Sequence, residues 1–268
     1  MRFCAVLFVA SSMMVFSGCT TLQDAGVSKT EKEEVPTHSS RLVKLASDIE
    51  SRGDPNTALA LYEQAAAVPD AKPATLVSVA DAYARAGYGE QAVKTYRLAL
   101  SRAPSYGPAL VGLGSAMIDE GDSEAGIRAL AEGAQSVHSS KAYNRLGVAY
   151  IFAGDTDAAQ TTFQKALALA PGDLDIETNM ALAAALAQQS ASAVLLAQKI
   201  AASPNAQLHH KRNIVVVYGL LGQESVVRAS PPTGLSTKDI DTLLAQAKAI
   251  GTKKTVHARA KALGSMNG

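Results

Sequence analysis

The sequence predicts an all-α protein built as a solenoid of helix-turn-helix units, and three observations carry that expectation. In residues 140–173 (SKAYNRLGVAYIFAGDTDAAQTTFQKALALAPGD), bulky apolar side chains stand at places four, seven, eleven and twenty-four: Tyr143, Leu146, Tyr150 and Phe163. Small residues stand between them at Gly147, Ala159 and Ala166, and Pro171 closes the unit. The same spacing recurs on both sides with a period of 34 residues, the unit 107–139 being one residue short in its closing loop. Glycine returns at a fixed place in successive units, as Gly53, Gly87, Gly121 and Gly154, where a turn between two helices needs a positive φ. No run of alternating polar and apolar residues argues for a strand.

Each place has a physical reason. Gly147 and Ala159 allow two antiparallel helices to cross closely, and Ala166 lets the next unit approach. The four bulky residues fill the space between the helices, and a proline, with no N–H to donate, ends the second one. This pattern resembles the tetratricopeptide repeat. The resemblance implies a right-handed superhelical stack with a C-terminal capping helix.

Taken in order, residues 1–18 read as a signal peptide: Arg2, an apolar run to Phe16, then Ser17-Gly18 before Cys19. The small-small-Cys ending resembles the lipobox of bacterial lipoproteins, which implies acylation of Cys19. An ordinary cleaved signal or an uncleaved anchor are the other readings. Cys4 falls in the segment to be removed, so Cys19 is the lone cysteine of the mature chain and makes no internal disulfide. Residues 19–38 are polar, of mixed charge, and read as a tether. Six units follow, at 39–72, 73–106, 107–139, 140–173, 174–207 and 208–229, the last cut short before Pro231-Pro232. Ser236-Thr-Lys-Asp239 resembles a capping box and opens a helix with Ile240, Leu243, Leu244, Ala247 and Ile250 on one face, so residues 230–250 are expected to cap the stack. Residues 251–268 are expected to form a frayed, solvated basic tail.

With 25 basic and 24 acidic residues the chain has a net charge of +1, which gives no footprint for nucleic acid. Phosphate-binding glycine loops, nucleophile elbows, Cys/His metal spacings and paired carboxylates are missing from the sequence, so neither an enzyme, a metal, a cofactor nor a small-molecule substrate is expected. His209 and His210 are neighbours, expected to diverge on a helix as surface residues and to chelate poorly.

The expected activity is binding on the concave surface, lined by the first helix of each unit. Place six carries Arg145, Asn179 and Asn213, place five adds Asn144 and Arg212, and place two adds Lys141. Place nine is apolar in this half, as Val148, Leu182 and Val216. These nine residues outline a groove with an apolar floor and a basic, amide-bearing rim, suited to an amphipathic helix or extended peptide. The alternative is that Asn179 and Asn213 bridge neighbouring helices, with the apolar residues packed between helices.

The lipobox, the tether, the repeats and the stretch RNIVVVYGLLGQESVVRAS at 212–230 together resemble the TadD-type lipoproteins of tight-adherence (Flp) pilus assembly. That resemblance implies a non-enzymatic lipoprotein on the periplasmic face of an outer membrane, with pilus assembly or secretin components as protein partners. A type IV pilus pilotin, or a scaffold for an envelope polysaccharide or cell-wall enzyme, are the alternatives.

Overall fold

The computed structural model describes residues 36–266, and Cys19, the signal segment and most of the expected tether lie outside them. The described residues form fourteen helices and no strand. Five antiparallel pairs stack in sequence: α1 (His38–Ser51) with α2 (Pro55–Ala67), α3 (Pro73–Arg85) with α4 (Gly89–Arg102), α5 (Gly107–Asp119) with α6 (Ser123–Val137), α7 (Ser140–Ala153) with α8 (Thr156–Leu169), and α9 (Leu174–Leu186) with α10 (Ser190–Ala201). A sixth pair is lopsided, α11 (Leu208–Leu220) being full length and α12 (Glu224–Ala229) little more than a turn. Ser230 leaves the helical region, which a following proline disfavours, at φ −139°, ψ 79° ahead of Pro231.

The turns follow from two residues. Gly53, Gly121 and Gly154 take positive φ, and the aspartate after each caps the next helix: Asp54, Asp122 and Asp155 accept from the amides of Thr57, Ala125 and Ala158. In the fifth pair the glycine is replaced by Gln188, which still takes φ 61°. The crossing of α5 on α6 is close enough to require glycine. A Cβ on Gly114 would lie 2.5 Å from the Leu130 amide nitrogen and 2.6 Å from the Gly126 carbonyl, so only glycine fits. At the next pair Phe163 occupies the space over Gly147, and it is 1% exposed. Burying such a ring contributes roughly 1.5–3 kcal/mol.

The core is unevenly divided. Residues 38–125 hold three small clusters, around Tyr62 and Val79, around Tyr96, Leu113 and Met117, and around Leu76 and Ala109. From Leu130 to Ala260 one continuous cluster runs through every remaining helix pair.

Two helices finish this cluster. α13 (Thr237–Gly251) begins at the Ser236–Asp239 capping box and lies along α11, with Ala247 and Leu244 against Gly219. The ion pairs Lys248–Glu224 (2.9 Å) and Arg228–Asp241 (2.7 Å) tie it to α12. α14 (Val256–Gly264) corrects the expectation of a frayed tail, since residues 256–264 are a capped helix with Arg259 and Ala260 buried. Thr255 caps it by accepting from the Ala258 amide, and the helix folds back onto α7 and α9.

Candidate functional site

Places nine and thirteen of a first helix are one turn apart on the same face, so successive repeats align them as a stripe. Asp81 and Arg85 on α3, Asp119 on α5, and Val148 and Phe152 on α7 therefore converge, and together with Arg145 they bound an open hollow of ≈ 740 Å³. Gly112 widens it, because any side chain there would run into the Tyr96 ring.

Polar groups at one end of the hollow already have partners. The Tyr96 hydroxyl donates to Asp81 in a short bond, and burial together with that carboxylate pushes the phenol well above its usual pKa. Arg85 grips Glu50 with two bonds, Nε to Oε1 at 3.1 Å and Nη2 to Oε2 at 2.9 Å, while the Tyr62 hydroxyl donates to the same Oε2. The Arg85 guanidinium holds the Glu50 carboxyl below its ordinary range. Arg145 and Asp119 differ: among the described residues neither has a hydrogen bond or an ion pair, and partial burial raises the Asp119 pKa against the opposing pull of Arg145. An exposed guanidinium and a carboxyl without partners can each engage a ligand's backbone or charged side chain.

The residues expected to form the groove separate into three groups. Asn144, Arg145, Val148 and Asn179 meet at the hollow, but the Asn179 amide donates to Asn144 Oδ1 at 3.1 Å, bridging α7 and α9. Leu182 lies beneath α14 beside Val148. Lys141 is exposed away from the hollow, and Arg212 lies close enough to Asp239, at the start of α13, to lower its pKa, with Asn213 next to it. Val216 is corrected from groove floor to core: it is 3% exposed, in the cluster that includes Leu243, Leu244 and Ala247 of α13. Reading the periodic places only in the C-terminal half missed Asp81, Arg85, Asp119 and Phe152. Their signal was the same register carried one turn further and two repeats back.

His209 and His210 also depart from expectation. Both Nε2 atoms lie 2.9 Å from Asp175 Oδ1, and His210 is 4% exposed, so the two rings converge on one carboxylate held below its usual pKa, mainly by His209. They begin α11, where the first-turn side chains can both reach the start of α9. The trio has the composition of a metal site. However, His210 Nδ1 accepts the Gln207 amide at 2.9 Å, so its proton sits on Nε2 and goes to Asp175. With no lone pair on Nε2, this arrangement is a clamp between two repeats.

Fold and concave surface define a helical-repeat scaffold. Residues 140–173 match the family model described as a tetratricopeptide repeat. Comparison with curated proteins finds no match. Among solved structures, a tetratricopeptide repeat protein from Parabacteroides merdae ATCC 43184 is 16% identical with a TM-score of 0.64, over 85% of this chain and 92% of that one. Pseudomonas aeruginosa PilF is 14% identical with a TM-score of 0.59, over 77% and 96%. MamA from Desulfovibrio magneticus RS-1 is 19% identical with a TM-score of 0.54, over 61% and 94%. At these identities the likeness is one of fold: the chain is a stack of helix pairs like those of solved tetratricopeptide-repeat proteins, with one repeat matched by the family model.

Proposed function

We propose that the chain is a lipid-anchored adaptor that binds protein partners on its concave face and serves assembly of a tight-adherence pilus machine at the outer membrane. The observation that carries the binding half of this reading is the open hollow in which, among the described residues, Arg145 and Asp119 make no hydrogen bond or ion pair. The lipobox at Cys19 and the TadD-type character of residues 212–230 support the anchor and the machine. No helix among the described residues is long and apolar enough to cross a membrane. Anchoring through Cys19 would draw on two or three acyl chains, each buried CH₂ contributing about 0.8 kcal/mol.

The test is a crosslinking pull-down of the acylated protein from its own envelope, with captured proteins identified by mass spectrometry. Arg145→Glu should lose the partner, whereas Arg212→Glu, beside α13, should retain it. Recovery of secretin or pilus-assembly components supports the reading; a wall or polysaccharide enzyme in their place refutes the pilus assignment. Cys19→Ser should abolish lipid labelling and membrane retention.

A further inference from the structure

In the C-terminal half part of the concave face is covered, because α14 lies on α7 and α9. Two of its side chains reach the ends of those helices. His257 Nδ1 bonds the Phe152 carbonyl, and Arg259 Nε donates to the Leu186 carbonyl, with its Nη1 on Lys253 O at 2.6 Å. These carbonyls belong to the last turns of α7 and α9, where no intrahelical amide is available and the helix dipole is negative. A guanidinium and a ring N–H donor in the first turn of the docked helix are therefore what the site recognises. The apolar half of the contact is less complete. Ala260 and Leu263 face Val148, Phe152, Leu182 and Leu186 across a hollow of ≈ 170 Å³. An apolar space of about 150 Å³ takes a benzene-sized group. The resident helix thus leaves room for one large side chain.

We infer that the α7–α9 face is a helix-binding site whose resident occupant is α14, and that its exogenous partner is a basic amphipathic helix. That partner carries an arginine for the Leu186 carbonyl and an N–H donor for the Phe152 carbonyl in its first turn, and a leucine-sized side chain where α14 has Ala260. It displaces α14, which swings on residues 252–255 while α13 stays packed on α11. The inference rests on the reading of the concave face as a partner surface and assigns that partner's chemistry.

The probe is a fluorescent peptide of residues 252–268 carrying Ala260→Leu, titrated by anisotropy into the mature full-length chain. A chain with Ala260→Asp, whose own α14 is expelled, should bind it at least tenfold more tightly than wild type, and removing His257 and Arg259 from the peptide should cost at least tenfold. Equal affinity for both chains, or binding to neither, overturns the inference. Should the Ala260→Asp chain fold poorly, hydrogen exchange on wild type decides: saturating peptide should deprotect amides 256–264 and leave α13 protected, and unchanged protection overturns it. Dimers of the Ala260→Asp chain that bind no peptide would make the occupant a second copy and end the partner assignment. Partner loss in the Arg145→Glu pull-down is read independently, so failure of the peptide leaves the adaptor reading standing.

Discussion

The two halves of the solenoid follow one sequence pattern and differ in how they are held. In the N-terminal half each junction rests on a few residues of its own, such as Tyr62 with Val79 or Tyr96 with Leu113, and the concave face is open. In the C-terminal half α13 and α14 return to the repeats, so the core is continuous and part of the concave face is covered. Stability in such an array is a sum of repeat and nearest-neighbour contributions. A half whose neighbours are joined by small separate clusters should open at lower free energy than one whose core is shared. Repeat identity sets the shape, and what folds back on the repeats sets which part yields.

The largest test removes a ring from the shared core. Phe163→Ala should cost about 3–5 kcal/mol in urea unfolding, and should speed hydrogen exchange across residues 140–264 more than across 38–102. Uniform acceleration over both halves would break the distinction. Next is the seam between them: Gly114→Ala forces a Cβ against the backbone of α6 and should cost about 2 kcal/mol, with the exchange of the N-terminal half becoming independent of the rest. A smaller effect has the opposite sign. Gln188→Gly gives up two long bonds, to the Ala185 and Leu220 carbonyls, but relieves a left-handed residue, and should raise stability by about 1 kcal/mol in the C-terminal half.

The smallest effect is confined to the N-terminal half and depends on pH. The Glu50 carboxyl is depressed by Arg85, so its contribution is complete above the unfolded value of about 4.3 and disappears as pH falls through the lower folded value. The pair is half exposed and should contribute about 0.5 kcal/mol. Acid titration of amide exchange in residues 38–102 should show this loss, and Arg85→Gln should flatten it. An unchanged acid profile in that variant would remove the ion pair from the account of this half.

The helices were legible in the sequence because the repeat writes each of its contacts locally. Tyr143, Leu146, Gly147, Ala159 and Phe163 meet within one period, and their spacing alone implies the crossing. The site was legible only in part. Asn144 and Asn179 stand at the expected places, yet they bond one another, a choice fixed by the distance between two helices rather than by either residue. The helix at 256–264 was missed although Thr255 and the spacing of Val256, Ala260 and Leu263 marked it. Its stabilising partners, the Phe152 and Leu186 carbonyls, are 105 and 73 residues away from the side chains that reach them, and backbone carbonyls leave no trace in composition.

The bonds from Tyr62 to Glu50 and from Tyr96 to Asp81 have an optical consequence. The chain has eight tyrosines and no tryptophan, so its ultraviolet emission is dominated by phenol. A phenol that donates to a carboxylate is quenched, and among the described residues only these two, both in the N-terminal half, do so. Opening of that half should therefore brighten the protein before its helical signal falls, giving a label-free reporter of which end loosens first.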